Sequence, residues 1–142
     1  MATEILVNDG GAPARIMNLG NANAAIEAGM FVDINSSGNI VAATDDQEAG
    51  SSGEKVCLGV LLVDAVSGEP TSIITGKGVV CNVQAAEALA TIGTEITVDN
   101  AGKAEATGDA DTHRAVGITL AASFTGKDSG GADTTFVKVL LL

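Results

Sequence analysis

Apolar and polar residues alternate in two separate stretches of the chain, GMFVDINSSGNIVAATD at Gly29–Asp45 and GTEITVDNAGKAEATGD at Gly93–Asp109. A period of two marks a half-buried strand, and each stretch is broken by a turn cluster, Ser36–Gly38 or Asn100–Gly102. Each stretch therefore predicts a strand, a tight turn and a return strand. The two align at an offset of 64, which sets Gly38 on Gly102, Ala42 on Ala106, Asp45 on Asp109, Val32 on Ile96 and Ile34 on Val98.

A second echo follows each predicted hairpin. KVCLGVLLVDA, from Lys55 to Ala65, aligns with HRAVGITLAAS, from His113 to Ser123, at an offset of 58; Leu58 falls on Val116, Val60 on Ile118 and Leu62 on Leu120. Both runs hold a glycine, Gly59 or Gly117, where glycine weakens a strand unless it marks a bulge or the close approach of another backbone. These two are therefore expected to be structural glycines. A third match, TSIIT (Thr71–Thr75) on TFVKV (Thr135–Val139), returns to an offset of 64 and places Ile73 on Val137. The differences in spacing fall in loops, DQEAGSSGEK before the first glycine strand and FTGKDSGGADT after the second, as a duplication allows.

The beginning of the chain extends the pattern. EILVNDGG (Glu4–Gly11) resembles SIITGKG (Ser72–Gly78), and ARIMN (Ala14–Asn18) meets GVVCN (Gly78–Asn82) at an offset of 64. The expected fold is mainly β: one domain over residues 1–142, with an internal repeat over roughly 10–75 and 76–142. Each half is small for independent stability, so the two are expected to share one core as a β-barrel or sandwich-like body. Residues 1–9 form an extended arm or edge strand. The Ala-rich connectors NANAAIEAG and VQAAEALATIG supply at most one or two short helices, because six residues such as Ala85–Ala90 cannot hold a helix without tertiary support. The final run, FVKVLLL, puts Leu140, Leu141 and Leu142 on both faces of any strand, so they are fully buried or covered by another chain.

Composition narrows the function classes. The chain of 142 residues has a formal charge of −11, a pI near 4.1, 18 glycines and only 2 prolines. Such an acidic surface repels a phosphate backbone, which disfavours direct nucleic-acid binding, and serves solubility. With three Phe and no Trp or Tyr there is little on which a sugar or a base could stack. No basic n-region precedes an apolar run at the start, and no segment has the roughly 20 apolar residues of a membrane span, so a protein made in a cytoplasm and independent of membranes is expected. Cys57 and Cys81 lie in apolar runs and read as reduced, buried small hydrophobes rather than a disulfide.

Candidate chemistry is sparse. Asp33, Asn35, Ser37 and Gly38 begin like a calcium loop, but Thr44 stands where a bidentate carboxylate is needed and Thr97 replaces Asp33 in the other repeat, so a hairpin turn is the better reading. ITGKG and FTGKDS lack the spacing of a phosphate loop and read as turns. The lone His113 sits in a segment, GDADTH, that reads as an exposed loop, and its equivalent is Lys55. Asn35-Ser36-Ser37 fits a glycosylation sequon but has no secretory context. The carboxylates Asp9, Asp45, Asp46, Glu48, Asp109, Asp111, Asp128 and Asp133 fall in turns, with no pair forced together by apolar surroundings. No catalytic, metal-binding or cofactor-binding residues are expected, and an enzyme is disfavoured.

The unit of apolar strand, glycine turn, Ala-Ala-Thr, loop and [AC]-[VL]-G-[VI]-x-L resembles the small capsid decoration, or cement, proteins of tailed bacteriophages, including the lambda-type head decoration family. The residues that carry the likeness are Asp33–Thr44 with Cys57–Leu62, and again Asp99–Thr107 with Ala115–Leu120; ILVNDGGAPARI at the start adds to it. The chain departs from that family in carrying the unit twice. The resemblance implies a structural virion protein on the outer surface of an expanded capsid, assembled as a homotrimer, that clamps neighbouring major capsid subunits against internal DNA pressure. For an exposed strand, strand addition is the natural contact mode. The candidates are Glu4, Ile5, Leu6 and Val7 for the capsid contact and Val139, Leu140, Leu141 and Leu142 for the subunit contact, with ordinary intramolecular strands as the alternative for each. The rival class is a ligand- or receptor-binding β-module of a phage fibre or bacterial adhesin.

Overall fold

A computed structural model describes residues 1–8, 12–44, 57–107 and 114–142. Eleven strands run in chain order: β1 (Arg15–Met17), β2 (Phe31–Ile34), β3 (Ile40–Ala42), β4 (Gly59–Leu61), β5 (Ile73–Thr75), β6 (Val80–Gln84), β7 (Glu95–Val98), β8 (Ala104–Ala106), β9 (Gly117–Thr119), β10 (Phe124–Lys127) and β11 (Asp133–Leu141). All named pairings are antiparallel, and they make two sheets packed together as a β-sandwich-like body. The first sheet has the order β1-β5-β4-β2-β3; the second has β10-β11-β9-β7-β8, with β6 on the other side of β11.

The described residues contain no helix. The Ala-rich connectors form isolated bridges, bends and turns because other segments claim their backbone groups. Ala22 N–H donates to Glu69 O at 2.8 Å, Ala85 N–H to Thr135 O at 2.9 Å, and Ala86 N–H to Ala104 O at 2.9 Å. Isolated parallel bridges, Ala22 to Ile40 and Ala85 to Ala104, lay the connectors along β3 and β8 and so cover one edge of each sheet.

The alternation read from sequence becomes a division between two apolar clusters. Phe31, Val60 and Ile74 of the first sheet join Cys81, Val83, Ile96, Phe136, Val137 and Val139 of the second in the larger cluster. Their chain neighbours Val32, Leu61 and Ile73 point to the opposite face and form the smaller cluster with Ala22, Ile26, Ile40 and Ala65. The second sheet puts hydroxyls at some matching places. Buried Thr119 donates from Oγ1 to Thr91 O at 2.8 Å and accepts from Thr94 N–H at 3.0 Å.

Both predicted hairpins are closed by the same device. Asn35 Oδ1 accepts the N–H groups of Ser37 and Asn39, each at 3.0 Å. Asp99 Oδ1 accepts those of Ala101 at 2.8 Å and Lys103 at 2.7 Å. A side chain that bonds its own backbone two residues on shapes the turn. Gly38 and Gly102 then take φ of 80° and 77°, which only glycine reaches without cost.

Pairing registers fix the correspondence between the sheets. Val32 lies opposite Ala42 and Ile96 opposite Ala106; Val32 also faces Gly59 and Ile96 faces Gly117. These agree with the offsets of 64 and 58. The third match is corrected. Leu61 pairs with Ile73 while Thr119 pairs with Val139, so the counterpart of Ile73 is Val139, not Val137.

Candidate interaction surfaces

The N-terminal residues are part of the second sheet. Thr3 N–H donates to Lys127 O at 2.8 Å, and Lys127 N–H donates to Thr3 Oγ1 at 2.9 Å. Leu6 bridges Cys81 in antiparallel sense. Val7 N–H reaches Val80 O at 3.1 Å, and Asn82 N–H reaches Ile5 O at 2.8 Å. Buried Asn82 adds a side-chain bond, from Nδ2 to Glu4 O at 2.8 Å. Of the predicted capsid-contact residues, Ile5 is buried in the main core, Leu6 and Val7 are half-buried and Glu4 is exposed. Their backbone bonds to β6 around the isolated Leu6–Cys81 bridge, so Ile5–Val7 lie against the body.

The predicted subunit-contact residues lie deeper still. β11 is flanked by β6 on one side and by β10 and β9 on the other, which leaves no open edge at Val139–Leu141. Val139 and Leu141 are buried, Leu140 is half-buried, and only Leu142 is exposed. The apolar C-terminal run is thus used within the chain. A run of apolar residues on both faces signals a strand in the middle of a sheet as well as an interface.

Gly59 and Gly117 sit where backbones close in. A Cβ at Gly59 would collide with the Ile74 carbonyl oxygen across the β4–β5 pairing, while one at Gly117 would stand 3.1 Å from Leu140 O. Burial pushes both thiols up to about 12, backbone hydrogen bonding at Gly59 and Val32 partly offsetting this for Cys57. Part of Cys57 reaches the surface, yet its sulfur is enclosed and lies 3.5 Å from Gly59 O. Neither is a thiolate at neutral pH, so neither serves as a nucleophile.

A groove of about 540 Å³ opens between the N-terminal segment, the β4–β5 connection and the β10–β11 hairpin, with Ile5, Leu6, Leu62, Val63 and Phe136 in its lining. Several of its polar groups are engaged in structure. Asp64 Oδ1 accepts Ala28 N–H at 2.7 Å, Asp64 Oδ2 accepts Ser129 Oγ, and Asp128 Oδ1 accepts Ala132 N–H at 2.8 Å. Lys127 Nζ lies 2.5 Å from Asp133, a surface pair of small energetic weight. Phe124 stacks on Phe136 with ring centroids 6.1 Å apart. Such a groove offers apolar contact rather than proton transfer.

The residues considered for calcium serve the hairpin instead: Asp33 Oδ1 accepts Ile34 N–H at 2.7 Å and Asn35 closes the turn. Among the described residues no group of three or more His, Cys, Asp or Glu side chains could hold a metal. No described helix is long and apolar enough to cross a membrane. His113, Lys55, Asp9, Asp45, Asp46, Glu48, Asp109 and Asp111 lie outside the described residues.

The sequence matches no protein-family model and no curated protein. Its fold has a solved counterpart. The chain is similar to the N base of head fiber gp8.5 of bacteriophage phi29, with a TM-score of 0.65 over 92 % of this chain and 95 % of that one, at 15 % sequence identity. At that identity the likeness is one of fold.

Proposed function

We propose that this chain is a non-enzymatic structural protein of a bacteriophage virion, seated on the outer surface of the head, where it holds neighbouring major capsid subunits together. The observation that carries the reading is the near full-length fold likeness to a phage head-fiber base. It is reached independently of the short strand-and-glycine motifs that resemble decoration proteins. The described surface is consistent with it: carboxylates engaged in turns, thiols held protonated, and an apolar groove without an acid–base pair. In the same reading the chain assembles as a homotrimer, and its two halves descend from one duplicated unit. Several modest contacts per oligomer then add up through high effective concentration on the lattice.

A second reading takes the likeness more literally. The counterpart is the base of a fiber, so this chain would anchor a projecting element on the head rather than stabilise the shell.

Co-sedimentation with expanded heads of the phage that encodes the chain tests the proposal, followed by heating of loaded and bare heads. Saturable binding that raises the temperature of DNA release is expected. Binding without any gain in head stability would favour the anchoring reading, and no binding would overturn both.

A further inference from the structure

Strands β1 and β6 hold corresponding places, but the described residues cover the outer edge of only one of them. Ile16 pairs with Ile74 of β5 as Val80 pairs with Leu140 of β11. Beyond β6 lies the antiparallel segment Ile5–Asn8, held by Val80 O, Asn82 N–H and the Asn82 side chain. Beyond β1, among the described residues, no strand, bridge or backbone bond is found. All three β1 residues are exposed, Ile16 at 47 % and Met17 at 41 %.

The two edges also share their hook. Asn18 directly follows β1 at the place that corresponds to Asn82 of β6, and Asn82 Nδ2 grips the backbone of the covering segment at Glu4 O. Asn18 Oδ1 accepts Gly20 N–H at 3.1 Å, which leaves its Nδ2 donors for another acceptor. One feature differs: where β6 is preceded by buried Val79, β1 carries exposed Arg15.

We propose that the outer edge of β1 receives an extended segment of the capsid shell protein, antiparallel to β1, with an apolar residue opposite Met17 and a carboxylate beside Arg15. The inference rests on the capsid-binding reading above and names the contact. The chain's own covering segment is the template, since Leu6 lies opposite Cys81, the counterpart of Met17. Main-chain bonds supply affinity in such an addition, and side chains supply selection. A second copy fits less well. Two β1 strands paired about Ile16 would set Arg15 opposite Met17, with no carboxylate for either guanidinium. The edge is short and carries a cation, features that protect an open strand from indiscriminate pairing.

The test titrates wild type, Met17→Lys, Ile16→Pro and Asn18→Asp against expanded heads, with thermal melts and sedimentation velocity on each free protein. Met17→Lys and Ile16→Pro should each weaken binding by at least about tenfold, through loss of the apolar contact or of ladder geometry. Asn18→Asp keeps the acceptor for Gly20 but loses the amide donor, and should weaken binding by about fivefold, the worth of one hydrogen bond. Met17 and Asn18 are exposed, so their melts should stay at the wild-type value and decide the matter even if Ile16→Pro fails to fold. Wild-type binding with unchanged binding by Met17→Lys and Asn18→Asp would overturn the inference and leave the capsid reading standing. Absence of wild-type binding would overturn both. A change of oligomeric state in Met17→Lys with head binding intact would assign the edge to a second copy and overturn the proposal.

Discussion

Gly59→Ala should destabilise the protein severely while Gly117→Ala should be almost silent, although the two glycines are counterparts. An added Cβ at Gly59 runs into the Ile74 carbonyl oxygen and stands 3.0 Å from Ile73 Cγ2. Both atoms belong to β5, and the β4–β5 ladder consists of only two residue pairs, Val60 with Ile74 and Leu61 with Ile73. Relief requires that ladder to open. Overpacking a tight site costs about 1–3 kcal/mol, and each ladder bond lost adds about 1 kcal/mol. The expected loss is therefore about 3–4 kcal/mol, a large share of the stability of a domain this size. At Gly117 the nearest atom is Leu140 O at 3.1 Å, and the next contacts, to Ile96, are at 3.5 Å. A shift of a few tenths of an ångström accommodates the methyl. Its cost is offset by the roughly 0.4–1 kcal/mol that alanine gains by restricting the unfolded chain. Calorimetry and urea unfolding should show a fall in Tm of about 9–16 °C for Gly59→Ala, at about 3–4 °C per kcal/mol, and a change within about 3 °C for Gly117→Ala. Equal losses, or a larger loss at Gly117, would refute the close-approach argument.

Two further outcomes are expected. Because the folded thiols titrate near 12, against an ordinary value of 9.0, stability that is fully present below about pH 9 should decline as pH rises from 9 towards 12, and Cys81→Ala should flatten that decline. The check is urea unfolding as a function of pH, with iodoacetamide labelling only the unfolded chain at pH 8. Asn35→Ala and Asp99→Ala each remove an acceptor of two backbone N–H groups and should each cost about 1–2 kcal/mol in chemical denaturation, with the melts of the two variants falling alike.

The hairpins were legible in sequence almost to the residue. Their information is local: alternation over Val32–Ile34 and Ile96–Val98, and turn chemistry at Gly38 and Gly102. The glycine strands were legible for a similar reason, since a glycine inside an apolar run has few structural excuses. The alignment of β5 on β11 was misplaced by two residues because a strand shifted by two keeps every side chain on its own face. Ile73 suits Val137 as well as Val139 by pattern, and only the neighbouring strand distinguishes them. β10 was missed because FTGK reads as turn chemistry, and its pairing with Asp133–Phe136 is decided by the hairpin it closes. The surface assignments were hardest to read. Ile5–Val7 and Val139–Leu141 announced themselves as apolar strands, but whether an apolar strand meets its own chain or another depends on which edges the rest of the fold leaves open.

The placement of the first residues has a consequence for how the chain is made. Thr3 is joined to Lys127, 124 positions away, and Leu6 to Cys81, so residues 3–8 belong to a sheet whose strands all come later in the chain than the first sheet's. During vectorial synthesis β1 to β5 can pair among themselves while residues 1–8 wait for partners still inside the ribosome. Such distant closure raises contact order and slows folding. Residues 3–8 thus act as a late clasp, one that closes only after Cys81 and Lys127 have been made.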